Sequence, residues 1–208
     1  MALPFPLPRR PLDGGHARWY GYELGWATAD GPPVQLLTGL RFDVLELPAD
    51  AGAALLRRTG PAAPMTGPVA LCGERMRLLV AAGSADELPG LLDWLEWGGI
   101  ALGLTVLGAD GRMAAPAPPW SPHAAARGAA VWLRPPEPGR EVEPTLPTLA
   151  LTGRGTGGGG RGGDAPDLVR LVDAAATECH RARLLRGNDV GSHARPTQMP
   201  TAQPLAFS

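Results

Sequence analysis

Apolar positions along the chain follow two rhythms, and their alternation predicts an ordered series of strands and helices. "VQLLTG" (34–39) and "RFDVLEL" (41–47) are short apolar runs and read as strands. "PADAGAALLRRTG" (48–60) opens on Pro48, carries small and apolar residues inside, and closes with two arginines before Gly60. That pattern predicts a helix with both ends marked. "GPVALC" (67–72) and "RMRLLVAAG" (75–83), separated by Gly73-Glu74, predict a hairpin. The clearest helix is "SADELPGLLDWLEWGG" (84–99): Ser84 and Glu87 form a capping box, Leu88, Leu91, Leu92 and Leu95 make one stripe, and Gly98 stops it. "LGLTVLGADGRMAAPAPP" (102–119) predicts a second hairpin turning at Asp110-Gly111, and "AAVWLRPPEPG" (129–139) one more strand. "ARWYGYELGW" (17–26) has the character of a short helix ending near Gly25.

Both ends lose this pattern. Pro4, Pro6, Pro8 and Pro11 interrupt residues 1–17, which read as a flexible lead-in rather than a signal peptide. Residues 135–163 are first proline-rich and then glycine-rich, the composition of a linker. The "GRGTGGGGRGG" within them carries too few arginines for an RNA-binding tract. Residues 164–186 predict a helix capped by Asp164, with Leu168, Val172, Ala175 and Cys179 on one face and arginines crowding its C-terminus; residues 187–208 read as a disordered tail. The expectation is an α/β (α+β) domain over residues 18–134, with a mixed sheet of about six strands and two or three packed helices. A C-terminal helix is tethered to it, free to bury its apolar face on the core or on another protein.

Composition narrows the chemistry. A chain of 208 residues with 44% hydrophobic content can build one core, while 29 Gly and 24 Pro imply long connections around it. Net charge is -1, so any hold on nucleic acid must come from a local patch. All 19 bases are arginine, as a GC-rich genome writes them; without a lysine, Schiff-base chemistry and a phosphate-binding P-loop are excluded. Cys72 and Cys179 lie far apart with no ligand spacing, which suggests reduced thiols in a cytoplasmic protein, and no apolar run is long enough for a membrane helix. Cys179 and His180 are adjacent on their helix and diverge by about 100 degrees, so they form no thiol-imidazole dyad. His16, His123 and His193 have no ligand spacing around them either.

Residues 20–134 resemble the N-terminal domain of bifunctional DNA primase/polymerases, the prim-pol family, in its divergent, shortened actinobacterial form. "LTGLRFDVLELPADAG" sits where the family has a TG and a strand bearing metal-binding acids. "GERMRLLVAAG" stands at its glycine turn, histidine and strand, and "LTVLGADGRMAAPAPP" at its last glycine turn and PPS ending. The resemblance implies a nucleotidyl-transfer site with Mg or Mn, and this chain departs from it at the catalytic positions. Residues two apart on a strand share a face and can share metal, whereas Asp43 and Glu46 are three apart. Aligned on "VLEL", Glu46 takes the first acid position and Pro48 the second; Met76 replaces the histidine, and Trp120 the serine. The expectation is therefore a catalytically degenerate primase/polymerase-like protein that binds a partner or, weakly, nucleic acid. The alternatives are an active nucleotidyltransferase with a rearranged site on Asp43 and Glu46, and a structural module that docks through its C-terminal helix.

Two further groups are candidates. Arg75 and Arg77 share a strand face, with Arg41 and Arg112 beside them if the sheet follows the family order; they either hold a phosphate or line a solvated face. Trp94 and Trp97 lie off the leucine stripe and either stack on bases or anchor a partner, unless Trp97 folds back beneath a neighbouring loop.

Overall fold

The computed structural model describes residues 13–29, 31–60, 66–119, 121, 129–149 and 167–193. Helix α1 (Asp13–Glu23) leads into β1 (Thr28–Ala29), β2 (Gln35–Leu37) and β3 (Phe42–Pro48). Then come α2 (Ala49–Thr59), the β4–β5 hairpin (Val69–Cys72, Arg75–Ala81) and α3 (Ser84–Trp94). Strands β6 (Thr105–Leu107), β7 (Arg112–Ala114) and β8 (Val131–Arg134), a 3-10 turn (Glu143–Thr145) and α4 (Leu168–His193) complete the described residues.

The architecture is α+β, with strands in two sheets instead of one: a five-stranded sheet ordered β6-β3-β5-β4-β8 and a three-stranded sheet ordered β1-β2-β7. Every ladder between the named strands is antiparallel where a mixed sheet was expected, and parallel pairing among the described residues is confined to the isolated bridges Ala117–Val131 and Thr148–Asp167. The second predicted hairpin does not form. Its turn is present, with Asp110 at φ 58, but β6 adds to the free edge of β3 while β7 pairs with β2. Each strand is only three residues long, and Thr38 holds the turn between the sheets: its Oγ1 donates to Gly108 O at 2.6 Å and its N–H to Gly111 O at 3.0 Å.

Side-chain parity along β3 and β5 divides the interior. Leu45, Leu47, Met76, Leu78 and Val80 point to one face, where α2, α3 and α4 cover them. Phe42, Val44 and Leu79 point to the other, against Trp19, Tyr20 and Trp26 and the small sheet's Leu36 and Met113. Because both faces are covered, both parities of these strands carry apolar residues, interrupted by Asp43, Glu46, Arg75 and Arg77. Tyr20 is fully buried; its hydroxyl donates to Pro116 O and accepts from Trp132 Nε1, so no polar atom of that ring is wasted.

Several boundaries differ from expectation. α1 begins at Asp13, inside the stretch read as a lead-in, and residues 1–12 lie outside the described residues. Residues 135–149 are not loose linker: Val142 and Leu146 are buried in the second core, and Glu143 holds Arg41. Residues 150–166, with the glycine tract and Asp164, lie outside the described residues, as do 194–208. The C-terminal helix is a core element. Leu168, Val172, Ala175 and Cys179 are buried against the helical face, and Asp167 caps its start by accepting from Val169 N at 2.8 Å. The face that would dock a partner is thus spent within the chain, leaving Leu184 and Leu185 exposed.

α2 crosses β5 where Gly52 meets Met76, and a Cβ at Gly52 would lie 2.8 Å from Met76 Cβ. Gly52→Ala gains about 1 kcal/mol of helix propensity but overpacks the stem of a buried side chain, typically costing about 1–3 kcal/mol. Net destabilisation is expected, read as a lower urea midpoint at unchanged m-value.

Candidate functional site: two acids on opposite faces of one strand

Asp43 stands near the start of β3 and is 1% exposed. It shares a face with Leu45 and Leu47, and its Oδ2 accepts the Ala85 N–H at 2.8 Å in the first turn of α3. The expected capping box is not what starts that helix. Gly83, left-handed at φ 90, precedes it without a side-chain cap, Ser84 is buried, and the strand beneath delivers the acceptor. A carboxylate suits the positive end of a helix dipole. Even so, burial outweighs the hydrogen bonds and raises the Asp43 pKa above the usual carboxylate range. Its Oδ1 is buried without a partner.

Glu46 points the other way. Antiparallel register sets it directly opposite Arg77, with Arg75 one same-face position along and Thr105 on the far side. Its Oε1 accepts from Arg75 Nε at 2.9 Å and its Oε2 from Arg77 Nε at 2.8 Å. Arg75 also donates to Gly103 O, Glu46 O and Thr105 Oγ1. Burial opposes ionisation of Glu46, but the hydrogen bonds from Arg77 and Arg75 prevail and hold its pKa below the ordinary range. The result is a partly buried Arg–Glu–Arg triad with one carboxylate serving two guanidinium groups.

A two-metal centre needs several anionic oxygens converging on one point. These two carboxylates face away from each other across the sheet; one is committed to a helix end, the other to two cations. Among the described residues, no group of three or more His, Cys, Asp or Glu could hold a metal ion. The residues present do not fit a divalent-metal site of the kind the resemblance implies.

The four candidate arginines do not assemble. Arg75 and Arg77 share a face as expected, but Arg41 stands beyond the other end of β3, about 20 Å away along the strand, gripped by Glu143 at 2.6 and 3.0 Å. Arg112 belongs to the three-stranded sheet and lines a separate cleft with Thr38, Gly39 and Asp110. The strands of the last turn join different sheets, which is why the family-order neighbourhood is absent. The tryptophan pair is split as well. α3 ends at Trp94, which is 72% exposed, and the chain turns at Glu96 (φ 65) to send Trp97 back under α4. There Trp97 Nε1 donates to Asp173 Oδ1 at 3.1 Å, and its ring meets His180 edge-on. Trp97 pins a helix instead of presenting a stacking platform, and its cover is a helix rather than a loop. Cys179 faces the core, where burial pushes its thiol up to about 11, while His180 faces Trp97; the two share no chemistry. His16 sits in α1 against Ser121 Oγ at 3.2 Å; Trp120, His123 and the side chain of His193 lie outside the described residues.

Comparison of the chain with protein-family models, curated proteins and solved structures finds no match.

The two acids carry pH dependence of opposite sign. Glu46, with a depressed folded pKa, stabilises the fold above its unfolded pKa of about 4.3, and this is lost as pH falls through the lower folded value. Asp43, with a raised folded pKa, favours the fold more as pH falls from that value towards about 3.9. In acid titrations followed by circular dichroism, Glu46→Gln is expected to flatten the acid limb and to cost about 1–3 kcal/mol at pH 7. Asp43→Asn keeps an acceptor for Ala85 and is expected to be at least as stable as the parent at pH 7. Asp43→Ala loses the cap, at a cost of about 1 kcal/mol.

Proposed function

We propose that this chain is a catalytically degenerate primase/polymerase-like protein that acts by binding, to a partner protein or weakly to nucleic acid, and not by nucleotidyl transfer. The observation that carries this reading is the Arg75–Glu46–Arg77 triad. The acid aligned with a family metal ligand has its charge met by two arginines, 2.9 and 2.8 Å away, on the face opposite Asp43. A metal ion at Glu46 would have to displace both guanidinium groups and would meet their positive charge at close range. The sequence order of the resembling segments supports the relationship. The replacements Pro48 and Met76 fall on the same end of the same two strands as the triad, Met76 lying on the face turned away from it.

The active-enzyme reading and the binding reading predict opposite results for one substitution. In a metal-dependent site, Glu46→Gln removes a ligand and abolishes manganese-dependent nucleotide binding. In the degenerate site it uncovers two arginines, so phosphate-bearing ligands bind more tightly, without metal and with strong salt dependence. Isothermal titration of a nucleoside triphosphate into both proteins, with and without Mn2+, decides between them. The expected outcome is no metal-dependent binding by the parent and a severalfold, metal-independent gain for Glu46→Gln, a gain of about 1 kcal/mol in binding free energy. Tight Mn2+-dependent binding by the parent, lost in Glu46→Gln, would overturn the proposal.

A further inference from the structure

Helix α3 turns an acidic face to solvent. Asp86, Glu87 and Asp93 surround Gly90 at helical spacing, three or four residues from it, and Trp94 stands among them 72% exposed. Open space lies over Gly90, so the face is a shallow seat beside the indole ring. Between Arg77 and Arg112 the sequence holds no basic residue, and none of these three carboxylates is in an ion pair among the described residues. A second patch has the same plan with the charge reversed. On α4, Leu184 and Leu185 are 55% and 66% exposed, and Arg181 lies on their face, three and four residues before them. Arg58 reaches the same place from α2, because both arginines donate to Glu178 Oε1. Two guanidinium groups share one buried carboxylate there, so the rim keeps a net positive charge. Arg57 is exposed in the same turn of α2 and unpaired among the described residues.

An exposed apolar centre inside a charged rim is the plan of an interface, in which the centre carries affinity and the rim sets the choice of partner. The two patches cannot meet within one molecule. α3 and α4 lie in the same layer over one sheet face, and each patch is the solvent-facing side of its helix. We propose that they meet between molecules, the α3 face of one copy seating on the α4 patch of the next. Trp94 then covers Leu184 and Leu185, and the acids of α3 face Arg58 and Arg181. Arginine suits this place, since its planar guanidinium also stacks on an indole. The contact joins two different surfaces, so it runs head-to-tail, and every copy offers both, which lets assembly continue past a pair. Each apolar centre is small, so association is weak, with a Kd on the order of 100 µM. The opposite rims attract at low ionic strength, and the attraction fades as salt screens it.

The test uses the full chain in sedimentation equilibrium, from about 10 µM to about 1 mM and at low and high salt. Trp94→Ala blocks the α3 face. Leu184→Gln with Leu185→Gln blocks the α4 patch and keeps good helix formers there. All three side chains are exposed, so both variants keep the fold, which circular dichroism checks. The expected mass of the parent rises with concentration past that of a pair and falls with salt, while each variant associates about tenfold more weakly. An equal mixture of the two variants regains the parent's affinity but stops at one-to-one pairs, because each supplies the face that the other lacks. A parent that stays monomeric over the whole range would overturn the proposal. So would either variant associating like the parent, which assigns the contact to one patch meeting its own copy, or a mixture no stronger than its components.

Discussion

The register between β3 and β5 is the constraint on which the rest of the structure depends. Seven consecutive pairs, from Phe42 opposite Ala81 to Pro48 opposite Arg75, fix which side chain of each strand faces the helices and which faces the small sheet. A slip of one residue would turn one strand over against the other, so that either Glu46 or the Arg75 and Arg77 pair would lie under the three helices and the leucines of that strand would leave them. The charged triad and the two apolar cores are thus one statement of register. Glu46 meets Arg77 only where the leucines find the helices.

That register also explains how a strand can keep acids in its sequence without keeping a metal site. A buried or half-buried carboxylate must be protonated, paired or bonded to donors. Each acid of β3 takes a different course. Asp43 is paired with a helix terminus, an acceptor meeting N–H groups that have no partner within their own helix. Glu46 is paired with two guanidinium groups, and the fork of Arg75 also reaches Gly103 O and Thr105 Oγ1 and so ties β6 to the sheet. Both devices tie distant parts of the chain together, and both work without a ligand. The triad carries one more positive than negative charge, so removing Glu46 leaves two uncompensated guanidinium groups on the sheet face, whereas removing either arginine leaves a one-to-one ion pair.

Much of this was legible in the sequence, and the limits follow from what sequence pattern encodes. Strands β3, β4 and β5, helices α2 and α4 and the Gly73-Glu74 turn were marked by local signals: apolar period, Pro48 at a helix start, Gly60 at its end. Strand parity separated Asp43 from Glu46 and joined Arg75 to Arg77, because the pleat needs no tertiary knowledge. Pairing between strands does need it. That Glu46 lies opposite Arg77, and that Asp43 reaches Ala85, depends on contacts 31 and 42 residues apart that no window contains. The capping box at Ser84 lost to a buried carboxylate for that reason. The hairpin at Asp110 was read from its turn, which is real, but a turn does not say whether its two arms stay together.

Coverage of the sheet decides where the molecule can still bind anything. One face is closed by α2, α3 and α4, with Trp97 and Asp173 bolting the last helix to the turn that follows the third. The opposite face is closed over Phe42, Val44, Ala70 and Leu79; towards Arg75 it becomes polar and partly open, where Glu46 meets Arg75 and Arg77 while Arg77 Nη1 is buried without a partner. A surface whose cations already hold an acid attracts anions weakly, since an incoming phosphate must compete with a carboxylate at hydrogen-bond distance. Exposed apolar groups lie outside the sheet, such as Tyr22 on α1, Trp94 on α3, and Leu184 and Leu185 on α4. Of these, Tyr22 lines an open surface groove beside a buried tryptophan and Pro138. A large aromatic beside fixed neighbours offers more area to remove from water than an isolated side chain on a convex helix.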